Sequence, residues 1–266
     1  MIAEPDIGSN LIDYGRDNAD KIKLRTDQIA GFTNRFPFRT QPSLIDDLKP
    51  SDIYDKGSKN SFFYWLEFGV PSPHLTIGGA SNFEMVKTRL GDFKSLLKIA
   101  SNDQLSVHQK IDAPWDEFKG FGKDRHIAKK ILALLYSEKI FPILRTDHLE
   151  YFVNKLGLDV KGETDRIFNK DYANASIGEK FEILNELLNA WKEIHAPSSD
   201  NYAIMVVLYD MFSPPGWHSK QLFITPASGA KAQTNFASTM RKLVTFDSIS
   251  TYIQNPTLAD QLNLCP

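Results

Sequence analysis

Residues 111–158 read IDAPWDEFKGFGKDRHIAKKILALLYSEKIFPILRTDHLEYFVNKLGL, and their pattern decides the fold. Gly120 and Gly122 bracket Phe121 in a G-x-G turn. Ile127, Ala128, Ile131, Leu134 and Leu135 follow at helical spacing, predicting a helix over about 126–137. Pro142 interrupts helix, so Ile140 to Leu144 reads as extended. Thr146 takes the N-cap of a second helix, with Asp147 and Glu150 in its first turn, where the helix dipole favours negative charge. Leu149, Phe152, Val153 and Leu156 form its buried stripe, and Gly157 is the expected stop. The segment is a helical hairpin entered through a glycine turn.

Outward from it, two windows carry the capping-box signal. Ser81 with Glu84 opens an expected helix over about 82–100, whose apolar positions are Val86, Leu90, Phe93 and Leu97. Ser176 with Glu179 opens another, carrying Ile177, Phe181, Leu184, Leu188 and Trp191 on one stripe and closed by Pro197. Ser43–Leu48 reads as a short helix stopped by Pro50, and SFFYWLEFG at 61–69 as a strand. Asn201–Phe212 fits a buried strand or a core helix, ended by the PPGW turn at 214–217. Helix-like pieces recur near 233–244 and 257–264. The expected class is α+β, predominantly α-helical, with a helix-hairpin-helix-like module and a few short strands. A layer over 1–60, a mainly helical module over 61–196 and a C-terminal segment over 197–266 packed on it divide the chain, unless all three form one continuous domain.

Composition excludes several classes. With 42% hydrophobic and 24% charged residues, the 266-residue chain can bury a sizeable core and is not a disordered polymer. Its longest wholly apolar or aromatic run, Tyr202–Tyr209, which includes Ala203–Tyr209, falls far short of the roughly 20 residues that cross a bilayer. MIAEPDIGSN lacks a basic patch followed by an apolar core, so a cytoplasmic protein is expected, without a membrane partner. The single cysteine, Cys265, permits neither an intramolecular disulfide nor a thiolate metal cluster. The six histidines, 74, 108, 126, 148, 195 and 218, form neither H-x-x-x-H nor H-E-x-x-H. No G-x-x-x-x-G-K-[ST] occurs, the nearest miss being SGAKAQT, and no cofactor is expected.

The functional signal is local. Lys119, Lys123, Arg125, Lys129 and Lys130 surround the glycine turn, offset between 119 and 130 only by Asp124, so a hairpin of about +4 sits in a chain of net charge −2. A glycine turn feeding a helix presents backbone N–H groups suited to a phosphate oxygen, and His126 stands beside them. Gly120 and Gly122 are the positions where a side chain would obstruct that approach. Trp217, on the PPGW turn with His218, is the preferred residue for stacking on a base, ahead of the Phe62–Trp65 run. Asp147 is the one weak candidate for acid–base chemistry. The plainer reading is a turn that only reverses the chain, with lysines on a solvated helix face.

Residues 118–158, through FKGFG and HLEYFVNKLGL, resemble the helix-hairpin-helix element of DNA base-excision glycosylases. That resemblance implies a phosphate-binding turn but no active site. Thr146 occupies the position of the family's aspartate, Asp147 is displaced by one, and the lysine nucleophile of bifunctional members has no matched position. More widely, residues 58–195 resemble the region preceding the motor domain in McrB-type restriction proteins. The words that carry this are SFFYWLEFG, IGGAS, GFG, HIAKKILALLYSEKIFPI and SIGEKFEILNELLNAWKEI. The resemblance implies a DNA-binding recognition module, non-catalytic by itself, with duplex DNA as partner and modified DNA as a candidate target. An AAA+ GTPase motor and a nuclease subunit would be its partners in such a system. Two other readings stand beside it: a glycosylase-like base-excision enzyme and a protein-interaction scaffold.

Overall fold

The computed structural model describes residues 7–70 and 79–216. The chain divides into a compact unit over residues 1–219 and a second unit over 220–266. The second unit lies outside the described residues, as do Trp217, His218 and the helix-like pieces near 233–244 and 257–264.

Every regular element among the described residues is helical, which corrects the expected short strands. The chain opens with α1 (Ile7–Asp17) and α2 (Ala19–Arg35), then the single turns α3 (Leu44–Asp47) and α4 (Pro50–Ile53). Pro50 therefore starts a turn rather than only ending one, as suits a residue whose missing N–H is needed least at a helix start.

The aromatic run expected as a strand is α5 (Phe62–Tyr64), continuing into a π-helical turn over Trp65–Gly69 closed by the Val70 N–H on the Trp65 carbonyl at 3.0 Å. Phe62, Phe63, Leu66 and Val70 are buried, a spacing of three and four that serves a helix face. A Cβ on Gly69 or Gly31 would stand 2.7 or 2.9 Å from the Trp65 ring, so both glycines make room for that indole.

The expected helix over 82–100 is two. α6 (Gly79–Thr88) and α7 (Leu90–Ser101) meet at Arg89, whose φ of −114° leaves the helical region. Arg89 is held there by Asp92 at 2.8 Å, Glu117 at 2.7 Å and the Glu117 carbonyl at 2.9 Å. Because α6 begins at Gly79, Ser81 lies inside the helix and is not its cap. The next elements are α8 (Val107–Ile111), α9 (His126–Leu135), α10 (Thr146–Lys155) and α11 (Val160–Phe168). After them come α12 (Ile177–His195) and α13 (Asn201–Phe212).

α12 follows the sequence closely. The Ser176 hydroxyl accepts the Glu179 N–H at 3.1 Å, and the Glu179 carboxylate accepts the Ser176 N–H at 2.8 Å. Phe181, Leu184, Leu188 and Trp191 are its buried stripe. The run at 201–212 resolves as helix: Asp200 caps it by accepting the Ala203 N–H at 2.7 Å, and it packs on α1, α2 and α10. It belongs to the same core as α9 and α10, so 196–201 is a short connection within one unit.

α9 is the central helix. Every residue from Ile127 to Leu135 is buried, and its neighbours include α2, α7 and α8. The residue between the turn glycines, Phe121, is buried against Phe118 (5.6 Å between ring centroids) and Phe63 (5.9 Å). That anchor fixes the hairpin turn on the aromatic core.

Candidate nucleic-acid interface

The turn before α9 has an unusual backbone. Gly120 has φ +87°, and Lys123 and Arg125 adopt left-handed φ values of +53° and +56°. For residues with a Cβ this conformation costs roughly 1–2 kcal/mol each, so the surroundings must hold it. They do so through Asp124, which lies between the two. One of its carboxylate oxygens accepts the Thr146 N–H at 2.9 Å and lies 3.1 Å from His126 Nε2; the other accepts from Lys129 Nζ and the Thr146 hydroxyl. Burial alone would raise the Asp124 carboxyl, but His126, Lys129 and Thr146 together hold it well below the usual carboxylate range. Arg145, in extended conformation, is the N-cap of α10, so Asp124 does from α9's side what the sequence assigns to Thr146. One carboxylate joins the starts of both hairpin helices.

The same geometry redistributes the expected basic patch. Lys129 is fully buried and donates to Asp124 and to the Thr146 hydroxyl, at 2.7 Å for the latter. Lys130 is equally inaccessible, with its Nζ on the Val70 carbonyl. Neither can reach a phosphate outside the fold, because α9 is surrounded by neighbours and has no solvated face at these positions. Arg125 is mostly covered and lies 3.0 Å from Asp116. Lys119 and Lys123 remain exposed and form no ion pair among the described residues, while His126 is half-buried beside Asp124. Among the described residues, two uncompensated cations flank the turn in place of the expected charge of about +4.

The glycines also differ from expectation. A Cβ on Gly120 would lie 2.7 Å from Asn82 Nδ2, and one on Gly122 would lie 3.4 Å from Asp116 Cβ. Both therefore face the protein's own atoms, and Gly122 has no positive φ. Gly120 is the position where the conformation itself requires glycine. Gly120→Ala should lower thermal stability by about 1–2 kcal/mol, since alanine pays the left-handed penalty there. Differential scanning calorimetry measures this, and an unchanged melting temperature would mean the turn relaxes freely.

Asp147 is exposed and accepts from two guanidinium nitrogens of Arg145, Nε at 2.9 Å and Nη2. The hydrogen bond from Arg145 holds its carboxyl below the usual range. A carboxylate so placed is a poor proton donor near neutral pH.

Asp124 and the Arg125–Asp116 pair were the residues the sequence under-read. The signal available was Asp124 itself: an acid inside a run of cations, five residues before Lys129. Among the described residues no helix is long and apolar enough to cross a membrane, and no group of three or more His, Cys, Asp or Glu could hold a metal ion. No family model, curated protein or solved structure matches the chain.

Proposed function

We propose that this chain is a DNA-binding module that grips the duplex phosphate backbone through the 118–126 turn, without catalysis of its own. The observation that carries the reading is the pair of exposed lysines, Lys119 and Lys123, which form no ion pair among the described residues and lie on either side of a rigid turn that opens α9. Helix-start N–H groups and two free ammonium groups are a suitable combination for one or two phosphate oxygens. Rigidity supports the reading as well, because Phe121 and Asp124 hold the turn before any ligand arrives. The resemblance to McrB-type restriction proteins makes this the target-recognition part of such a system, with modified DNA as its candidate target and a GTPase motor and nuclease as partners.

The test is duplex binding by fluorescence anisotropy between 50 and 200 mM salt, with and without base modification. Changing Lys119 and Lys123 together to alanine should weaken binding to every duplex alike and reduce the salt slope by about 2, at roughly 0.9 per phosphate neutralised. An identical slope in the double variant would sink the reading. Absence of wild-type binding to any duplex would favour the protein-interaction scaffold instead.

A further inference from the structure

An open groove lies between the end of α4, α5 with its π-helical turn, and α6, and five aromatic residues line it: Tyr54, Phe63, Tyr64, Phe68 and Phe83. Phe63 and Phe83 are buried and stack with ring centroids 4.3 Å apart, so they form its floor. Tyr54 lies 5.0 Å from Phe83, and Tyr64 lies 5.7 Å from Phe68. Phe68 is 60% exposed, so the aromatic surface runs from the core out into solvent. Tyr64 and Phe68 stand at and within the π-helical turn, an irregularity frequent at functional sites.

The polar lining is acidic on balance. Two carboxylates, Asp55 and Glu67, face one ammonium, Lys59, along the same groove. Glu67 is half-buried and has neither hydrogen bond nor ion pair among the described residues. Burial raises its carboxyl, and no neighbouring charge offsets that. Ser61 lines the groove too, and its buried hydroxyl has no hydrogen-bond partner. The Lys87 ammonium, 6.0 Å from the Tyr54 ring centre, is matched by Glu84 at 2.9 Å and does not line the groove. A carboxylate partly withdrawn from water favours a cation, and aromatic ring faces are negative as well. The chemistry narrows which cation. A hard metal ion needs more oxygen ligands than this lining offers, and a primary ammonium needs three acceptors. A quaternary ammonium has no N–H to satisfy, so rings and one carboxylate suffice.

We propose that this groove binds the quaternary ammonium group of a small organic cation, seated against Tyr64 and Phe68 with Glu67 as its counter-charge. The rings supply cation–π attraction and exclude water, and Glu67 makes the charge of the ligand count. Lys59 opposes binding. The site shares no residue with the 118–126 turn and stands whether or not the chain binds DNA.

The experiment is isothermal titration calorimetry of the full chain with choline at constant ionic strength. Its control is 3,3-dimethylbutan-1-ol, which has the same shape without the charge. Choline should bind saturably at one site per chain, and the alcohol about tenfold more weakly. Phe68→Ala removes an exposed ring that the fold does not need, and should weaken choline binding by about tenfold. Glu67→Gln keeps the shape without the charge and should weaken it by about fivefold, while Lys59→Ala should strengthen it by about twofold. Melting temperatures confirm that each variant is folded. Absence of saturable choline binding would overturn the proposal. Equal binding of the alcohol would do so as well, since the groove would then be merely apolar. Affinity unchanged in both Phe68→Ala and Glu67→Gln would place choline elsewhere and overturn it too. Cytidine or adenosine binding more tightly than choline would overturn it in favour of a base pocket.

Discussion

Asp124→Asn is expected to destabilise the protein by about 3 kcal/mol, the lower end for removing one partner of a buried ion pair. The substitution keeps the shape but removes the charge that faces the fully buried Lys129 ammonium. It also weakens the acceptor for the Thr146 N–H and hydroxyl, loosening the start of α10. The two left-handed residues beside it then lose what holds them. Chemical denaturation measures the loss. Adding Lys129→Met should restore part of it, because the stranded charge goes with it. The pH dependence has a definite sign. Since the folded carboxyl titrates below its unfolded value of about 3.9, its contribution is full above that value and is lost as pH falls through the depressed one. The gap between wild type and variant should therefore close in acid. A loss below about 1 kcal/mol at neutral pH would show that Asp124 is not what joins the hairpin helices.

What the sequence conveyed about this hairpin, and what it hid, have separable causes. The apolar periodicity of α9, α10 and α12 is a local property, and those elements lie where the spacing places them. The Ser176–Glu179 box is equally local. The run at 61–69 reads as a strand on its aromatic content, whereas Phe62, Phe63 and Leu66 carry the three-and-four spacing of a helix face. Arg89 ended a helix through partners 28 residues away, at Glu117, which no local rule contains. The largest error concerned the lysines. Charge was counted along the chain, whereas α9 is enclosed on all sides and buries Lys129 and Lys130 against acceptors from distant segments. A lysine's apolar stem makes such burial feasible once its head finds a partner. The turn's exposed cations, Lys119 and Lys123, were readable; which of five would stay in water was a tertiary question.

Gly178→Ala should be destabilising by about 3 kcal/mol, against the expectation from helix propensity. In a helix interior alanine is favoured over glycine by about 1 kcal/mol, so propensity alone predicts a gain. Packing reverses the sign. Gly178 lies in the first turn of α12, where its N–H donates to Asp112 Oδ1 at 2.9 Å. A Cβ would strike the His108 carbonyl and stand 2.6 Å from Asp112 Oδ2. The first obstacle is backbone and cannot rotate away, so α8 and α12 would have to separate. Their contact is tied at both ends: Asp112 holds the Gly178 N–H and the Ser176 hydroxyl, while Glu182 accepts from the His108 N–H and lies 2.7 Å from its ring. Separation would strain all of these together. Gly91 is the matched control, since a Cβ there meets nothing within 4 Å in the first turn of α7. Gly91→Ala should leave stability unchanged or raise it slightly. Calorimetric melting of the two variants checks the pair, and equal small gains in both would refute the close approach of α8 to α12.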